Sequence, residues 1–245
     1  MGLFSSPGAA IRAVLIAQVL LAGAIVLIDL RGSPGRAAPG LFAPPVEGPS
    51  VRPYRPDLRP AEPGAPAMRP MPSRLEFRAG DDVIMVSGQI AGGDADRFAA
   101  WLDEQQPGAR RVSLDSSGGS VADALAIGRM LRAGGFDTVI QDGAVCLSAC
   151  PYIMAGGISR EAETGAVVGV HQHFFGKNTL LPAFMAVRDV QRAQASVMDY
   201  LDEMGVDLRL MSYALRTPPE EIHILDAARM AEFGLTTAGA SATAG

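Results

Sequence analysis

The sequence predicts an α/β domain in which strands alternate with helices and are joined by stacked right-handed crossovers. Short apolar runs rich in β-branched residues alternate with segments whose apolar residues recur at helical spacing. Glycine pairs and acidic caps separate these segments at lengths typical of strand–helix units. Alternation of this kind favours a sheet with parallel strands that is covered by helices.

The predicted elements follow one another through the C-terminal two thirds of the chain. Strands are predicted over residues 83–90, 111–114, 136–140 and 166–171. Helices are predicted over residues 94–105, 121–133, 147–154, 181–204, 207–216 and 226–232. In the first helix Phe98, Trp101 and Leu102 share one side, opposite acidic residues. Glycines end the second and fourth helices, and Asp226 caps the last one.

The N-terminal segment, residues 1–30, is predicted to be a membrane anchor. Residues 13–28 carry no charge, and with residues 8–11 included the segment approaches the length of about 20 residues that a spanning helix requires. A cleaved signal peptide is the alternative, because Ala22-Gly23-Ala24 has the small residues of a cleavage site. We expect the short tail on the cytoplasmic side and the rest of the chain on the other side of the membrane.

A linker is predicted between this segment and the domain. Residues 31–74 are rich in Pro, Gly, Ala and Arg, and they cannot bury enough apolar surface to offset the entropy of ordering. Prolines favour extended segments, so we expect a disordered but semi-stiff tether. The α/β domain is predicted over residues 75–237 and a flexible tail over 238–245.

Composition excludes one class of partner. The net charge is −5 and only 19% of the residues are charged, so the chain has no basic surface of the kind that binds nucleic acid. Two cysteines are too few for a disulfide-based scaffold.

A glycine-rich turn and a serine are the first candidate site residues. Gly118 and Gly119 lie between a strand and a helix start, where free backbone amides attract anions. The alternative is a tight turn in which Ser120 caps the next helix. Ser148 follows a strand and a glycine turn and begins an apolar helix, which would expose its hydroxyl as a nucleophile beside the amide of Ala149. A helix cap is the alternative for Ser148.

An imidazole and two cysteines complete the candidates. His171 ends an apolar strand and could accept the Ser148 proton, or it could be a hydrogen-bonded core histidine. His171 and His173 share a strand face, but no carboxylate lies at a suitable spacing, so no metal is predicted. Cys146 and Cys150 bracket the serine, and they could form a disulfide in an oxidising compartment or stay as two buried thiols.

Together these segments resemble the Clp protease proteolytic subunit and its ClpP/crotonase superfamily, over about residues 83–236. Residues 84–90 resemble the first strand with its Gly-Gln pair, and residues 114–120 resemble the Asn-Ser-Pro-Gly-Gly turn. Residues 146–150 stand where that family has Ala-Ala-Ser-Met-Gly, and residues 170–172 resemble its Ile-His-Gln segment. Residues 227–235 resemble its C-terminal Ala-x-Glu-Ala-x-Glu-Tyr-Gly-Leu segment.

The resemblance implies a fold of stacked ββα units and a set of roles. Ser148 would be the nucleophile, His171 the base, and the Gly118-Gly119 turn with the amide of Ala149 the oxyanion hole. The sequence departs from the family at two points. The triad aspartate would fall at Ile222, where Glu221 or His223 beside it could substitute, and the family's Met-Gly after the nucleophile is Ala149-Cys150 here.

The expected function is therefore that of a membrane-anchored, ClpP-like serine endopeptidase acting on peptides or unfolded proteins without a cofactor. Its domain would face the periplasm, or be secreted after signal cleavage, and homo-oligomers are common in the superfamily. One alternative is a Ser–Lys dyad of Ser148 and Lys177, the only lysine of the chain. Another is a catalytically silent binding or scaffold domain, which Ile222 favours. An acyl-CoA enzyme of the crotonase type fits the serine and histidine less well.

Overall fold

The computed structural model of the protein describes residues 7–31, 70–173 and 183–237. By its internal contacts the chain divides into two compact units, Met1–Pro45 and Val46–Gly245. In the first unit, the described residues form helix α1 (Pro7–Arg31). Within the described ranges, no helix combines the length and the apolar character that crossing a membrane demands.

The second unit holds the predicted α/β domain. Its elements are β1 (Glu76–Ala79), β2 (Val83–Ser87), α2 (Asp94–Gln105), β3 (Arg111–Asp115), α3 (Val121–Ala133), β4 (Asp137–Ile140), β5 (Val145–Leu147), α4 (Cys150–Ala155), β6 (Arg160–Ala162), β7 (Val167–Val170), α5 (Ala183–Glu203), α6 (Arg209–Arg216), β8 (His223–Ile224) and α7 (Ala227–Glu232).

Two sheets organise this unit. The larger sheet has the strand order β1-β2-β3-β4-β6, in which only β1 runs antiparallel to its neighbour. The smaller sheet has the order β5-β7-β8, with β5 and β7 parallel and β8 antiparallel. A single bridge between Ser116 and Cys146 joins the end of β3 to β5. The predicted mixed α/β class is confirmed.

The element predictions need three corrections. The helix predicted over residues 147–154 begins only at Cys150, because residues 145–147 pair with β7 as a strand. The strand predicted over residues 83–90 ends at Ser87, since Gly88 has a φ of 121° that interrupts the strand. The short strands β1, β6 and β8 were not predicted; with two to four residues each, they carry too little periodic signal to stand out.

Most buried apolar side chains form one core between the larger sheet and the helices, and they include Ile84, Leu114, Ile127 and Tyr152. A second, small cluster of Val145, Leu147 and Ile222 lies in the smaller sheet. The site described below lies where the two sheets meet, at the carboxyl ends of β3, β5 and β7.

Helix α4 is held at its C-terminal end by buried polar contacts. The Arg160 guanidinium is 5% exposed and donates to the carbonyls of Ala155, Met204 and Gly234. Burial, and secondly the nearby charge of Arg132, lower the pKa of Arg160 to about 10. Carbonyls at helix C-termini carry partial negative charge, so they stabilise this cation. The contacts fix α4 against α5 and the end of α7.

Candidate active site

Ser148 occupies a sharp turn between β5 and α4. Its φ is 62°, in the left-handed region that costs a residue with a β-carbon about 1–2 kcal/mol. Hydrogen bonds on the strand side hold the turn: the Ser148 amide donates to the Gly169 carbonyl at 2.9 Å, and the Leu147 amide donates to the Ser116 carbonyl at 3.0 Å. The cap position of α4 is Ala149, without a side-chain cap bond, so Ser148 does not serve as a helix cap. Strain of this kind is typical of functional turns.

A disulfide spans this turn. Cys146 in β5 is bonded to Cys150, the first residue of α4, and both side chains are fully buried. Of the two states left open by the sequence, the structure therefore has the disulfide. The bond closes a five-residue loop with Ser148 at its centre.

The imidazole of His171 lies directly at the serine. The distance from the Ser148 Oγ to the His171 Nε2 is 2.7 Å, and His171 follows β7 with 5% of its surface exposed. The other ring nitrogen, Nδ1, lies 3.0 Å from the carbonyl oxygen of Pro219. A carbonyl can only accept, so Nδ1 carries the proton and Nε2 is left to accept the hydrogen bond of the Ser148 hydroxyl.

Burial controls the charge of this ring. Removal from water lowers the pKa of His171 below its ordinary value of 6.5, whereas the bond to Pro219 and the negative charge of Glu220 act in the opposite direction. The net shift is downward, which favours the neutral imidazole at neutral pH. A neutral ring is the form that a general base requires.

Ile222 stands where the resemblance predicts an orienting carboxylate. Ile222 is 1% exposed and packs with Val145 and Leu147. Its neighbour His223 stacks on the ring of Tyr213, with centroids 4.9 Å apart. Glu220 is the acid whose charge acts on His171. Of the two substitutes considered in the sequence, neither Glu221 nor His223 is seen at Nδ1, and the Pro219 carbonyl is found there instead.

The predicted oxyanion turn touches the serine. Gly118 has a φ of 88°, and a β-carbon at Gly118 would lie 2.5 Å from the Ser148 Cβ and 2.9 Å from the Ala149 nitrogen. The Gly118 amide donates to the Ser116 Oγ at 3.1 Å, so an oxyanion would have to displace that hydroxyl. Gly119 has a different role: a β-carbon there would lie 2.1 Å from the Ile90 carbonyl oxygen, so Gly119 permits close packing on the segment after β2.

The alternative interpretation of this turn, as the start of a helix, is also seen. The Asp123 amide donates to the Ser120 Oγ, so Ser120 caps α3. The turn therefore both starts a helix and contacts Ser148. Neither feature excludes the other.

His173 contacts a buried tyrosine. Its Nε2 lies 2.8 Å from the hydroxyl of Tyr152, a buried residue of α4. Burial, with a further contribution from His171, lowers the pKa of His173 to about 4. Burial likewise raises the pKa of Tyr152, so Tyr152 keeps its proton. The pair links the strand end that carries His171 to the helix that follows Ser148.

The Pro219 carbonyl was not found by sequence reasoning, and Gln172, known from the sequence only as the neighbour of His171, bonds to the segment that carries it. The Gln172 amide donates to the Thr217 carbonyl at 2.9 Å, and the Gln172 Nε2 donates to the Leu215 carbonyl at 2.6 Å. These bonds tie the segment that carries Pro219 to the residue next to His171. Backbone acceptors such as Pro219 leave no signal in a sequence; the glutamine beside the histidine was the one visible clue. Lys177, the alternative base, lies outside the described residues.

The chain has no match among protein-family models or among curated proteins. Among solved structures, it is similar to a serine-to-alanine mutant of the membrane-bound stomatin-specific protease 1510-N. The two chains are 18% identical with a TM-score of 0.44, over 65% of this chain and 79% of that one. A likeness this distant assigns neither an activity nor a residue role.

Proposed function

We propose that the protein is a serine peptidase of ClpP-like fold that cleaves peptides or unfolded proteins through an acyl-enzyme on Ser148. The observation that carries the proposal is the 2.7 Å contact between the Ser148 Oγ and the His171 Nε2. The strained conformation of Ser148 and the nearby Gly118 turn support it. A hydroxyl, a base and main-chain donors in one place are the parts that acyl transfer requires.

The chemistry needs only groups of this chain and water. The Ser148 Oγ attacks the scissile carbonyl carbon while its proton moves to the His171 Nε2. The negative oxygen that forms faces the amides of Ala149 and Gly118, the latter exchanging the Ser116 hydroxyl for the oxyanion. Nε2 then gives the proton to the leaving amine, and a water molecule activated by His171 hydrolyses the ester on Ser148.

The Pro219 carbonyl would orient the His171 ring, which is one of the two roles of a triad carboxylate. It fixes the tautomer of His171 by accepting the Nδ1 proton. A carbonyl has no full charge, so it stabilises the imidazolium of the transition state less than a carboxylate does. In a serine protease with a carboxylate, loss of the correct tautomer lowers turnover about 10⁴-fold. We therefore propose a slow enzyme. His171 keeps the tautomer that a general base needs, but no carboxylate stabilises its positive charge in the transition state.

Hydrolysis of an unfolded protein tests this function. The full chain is incubated with β-casein, and fragments are measured for the wild type and for Ser148→Ala prepared in parallel. Fragments from the wild type alone support the peptidase. Equal fragmentation by both proteins would point to a contaminating protease and would count against the proposal.

A silent scaffold is the second candidate function, because an apolar Ile222 is buried where the family has its aspartate. Such a domain would release no fragments and would not react with a serine-directed probe. The Ser–Lys dyad is separated by Lys177→Met and His171→Ala. Activity that survives the first change and disappears in the second excludes the lysine as base.

We also propose that the domain works outside the cytoplasm. The Cys146–Cys150 bond supports this location, because disulfides form and persist in oxidising compartments. Whether the N-terminal segment stays as an anchor or is cleaved as a signal is decided by fractionating cells and sequencing the mature N-terminus. Recovery of the domain in the cytoplasm with free thiols would contradict the proposed location.

A further inference from the structure

The two ends of α4 are held by different means. At its C-terminal end, side chains of Arg160, Arg132 and Thr138 donate to backbone carbonyls of residues 154–157. At its N-terminal end, Cys150 is joined covalently to Cys146. With six residues, α4 is too short to be stable by its own hydrogen bonds, so it depends on these contacts at its two ends.

The covalent end is the end that carries the nucleophile. Ser148 lies between the two cysteines, in a left-handed conformation that persists only when the surroundings enforce it. On its strand side the backbone bonds to Gly169 and Ser116 hold it. On its helix side, the disulfide joins the first residue of α4 back to the strand that precedes Ser148.

We propose that the Cys146–Cys150 disulfide is a positioning bond that keeps the Ser148 hydroxyl at the His171 ring. This inference rests on the proposed function, and it adds a condition to it: the serine is fully reactive only while the bond is oxidised. Without the bond, residues 147–150 can relax toward a right-handed φ at Ser148. That rotation carries Oγ away from Nε2.

Reduction by a dithiol follows ordinary thiol–disulfide exchange. One thiolate of the dithiol attacks a cysteine sulfur and forms a mixed disulfide; the second thiolate displaces the remaining protein sulfur and closes a cyclic disulfide. The protein gains two electrons and two protons, and the dithiol is oxidised. Both cysteines are fully buried, so reduction requires transient opening of the first turn of α4 and is slow.

Labelling kinetics test the proposal on the full chain. The rate constant of inactivation (kinact) and the affinity constant (KI) of a fluorophosphonate are measured for the oxidised wild type, for the same protein reduced with dithiothreitol, and for Cys146→Ala/Cys150→Ala. Thiol content is checked by alkylation and mass spectrometry. We expect kinact to fall about 10- to 100-fold in the reduced protein and in the double variant, because a displacement of about 1 Å has effects of that size.

Three controls separate positioning from general damage. KI stays within about twofold, reoxidation restores kinact, and dithiothreitol has no effect on the double variant, because a positioning role acts on the reaction step alone. Circular dichroism shows that the fold is retained in each state. A fully reduced wild type that reacts as fast as the oxidised protein would overturn the proposal, and so would a double variant with unchanged kinact.

A readout that does not need activity keeps this proposal apart from the proposed function. Nitrogen-15 spectra of the His171 ring, assigned by the signals that disappear in His171→Gln, report the hydrogen bond at Nε2. We expect the Nε2 signal to change on reduction and to return on reoxidation. If the oxidised protein does not react with the probe, the peptidase proposal fails, and the spectra still test positioning. Identical His171 signals in both redox states would refute it.

Discussion

The two nitrogens of His171 face two regions that are built differently. On the Nε2 side lies the turn that carries Ser148. Its backbone is strained, and paired strands and a disulfide hold it in place. On the Nδ1 side lies the segment before β8, which supplies one main-chain carbonyl and is tied down by Gln172. The first region holds the hydroxyl and the imidazole at hydrogen-bond distance, as the proposed function requires. The second supplies a main-chain acceptor to Nδ1.

The difference shows which parts of such a site can be replaced. A nucleophile needs one side chain at one position, so the turn around Ser148 tolerates little change. An orienting group needs only an acceptor at Nδ1, and any backbone carbonyl can provide it. The site that we propose therefore has the hydroxyl–imidazole hydrogen bond of a serine hydrolase without the full negative charge of a carboxylate at Nδ1.

Removal of the nucleophile should have the largest effect. We expect Ser148→Ala to lower kcat at least about 10³-fold, because the acyl-enzyme cannot form. His171→Ala should be almost as severe. In Ser148→Ala/His171→Ala, kcat should be no lower than in Ser148→Ala alone, since the two residues act as a unit. Casein hydrolysis measures all three, and additive losses would contradict a shared step.

A change in the oxyanion turn should come next. In Gly118→Ala the new β-carbon meets the Ser148 Cβ at 2.5 Å, and a φ of 88° strains the residue. The turn must shift and its amide with it, so we expect kcat to fall about 10²–10³-fold. Gly92→Ala is the matched control, since a β-carbon at Gly92 meets nothing within 4 Å. Equal activity of the two variants would remove Gly118 from the site.

The orienting side should respond more mildly. Gln172→Leu removes the 2.6 Å bond to the Leu215 carbonyl and loosens the segment that carries Pro219, while the backbone bond to Thr217 remains. We expect kcat to fall about 10-fold with KM unchanged, because the imidazole loses part of its fixed orientation. Gln141→Leu is the control, since Gln141 accepts a hydrogen bond from Ser113 instead. A change in KM alone would assign Gln172 to substrate binding.

The smallest effect should be a shift in pH dependence. Activity requires neutral His171, so the acid limb of kcat/KM follows the pKa of His171, which burial holds below 6.5. The charge of Glu220 raises that pKa, and Glu220→Gln should therefore move the acid limb to lower pH. Because Glu220 is exposed, we expect the shift to be small and to be smaller still at high salt.

Glu221→Gln is the matched control for this shift, since Glu220 is the acid whose charge acts on the ring. The pH profile of kcat/KM is measured for the wild type and both variants. A limb that moves to higher pH in Glu220→Gln, or that moves equally in Glu221→Gln, would contradict the assignment.

The sequence alone predicted the region on the Nε2 side of His171, where the contacts are made by side chains. Ser148 and His171 were found because residues of these types recur in a known order, and the structure brings them to hydrogen-bond distance. The Pro219 carbonyl could not be found, since every residue has a carbonyl. The left-handed φ of Ser148 could not be predicted either, because a serine, unlike a glycine, gives no indication of a positive φ.

The fold shows the same division between strong and weak signals. The helices over residues 94–105 and 121–133 were placed as the structure has them, since each has a clear apolar periodicity and a defined end. The start of α4 was placed too early, because the apolar run through Leu147 looks the same in a buried strand and in a buried helix. Long-range pairing with β7 decides it, and no local pattern contains that information.

Peptide mapping of a fluorophosphonate adduct shows whether Ser148 is a reactive nucleophile. The oxidised full chain is labelled at neutral pH, digested and analysed by mass spectrometry beside Ser148→Ala. We expect one adduct, on the peptide that contains Ser148 in the wild type, and none in the variant. An unlabelled wild type, or an adduct on another serine such as Ser117 that persists in Ser148→Ala, would contradict it.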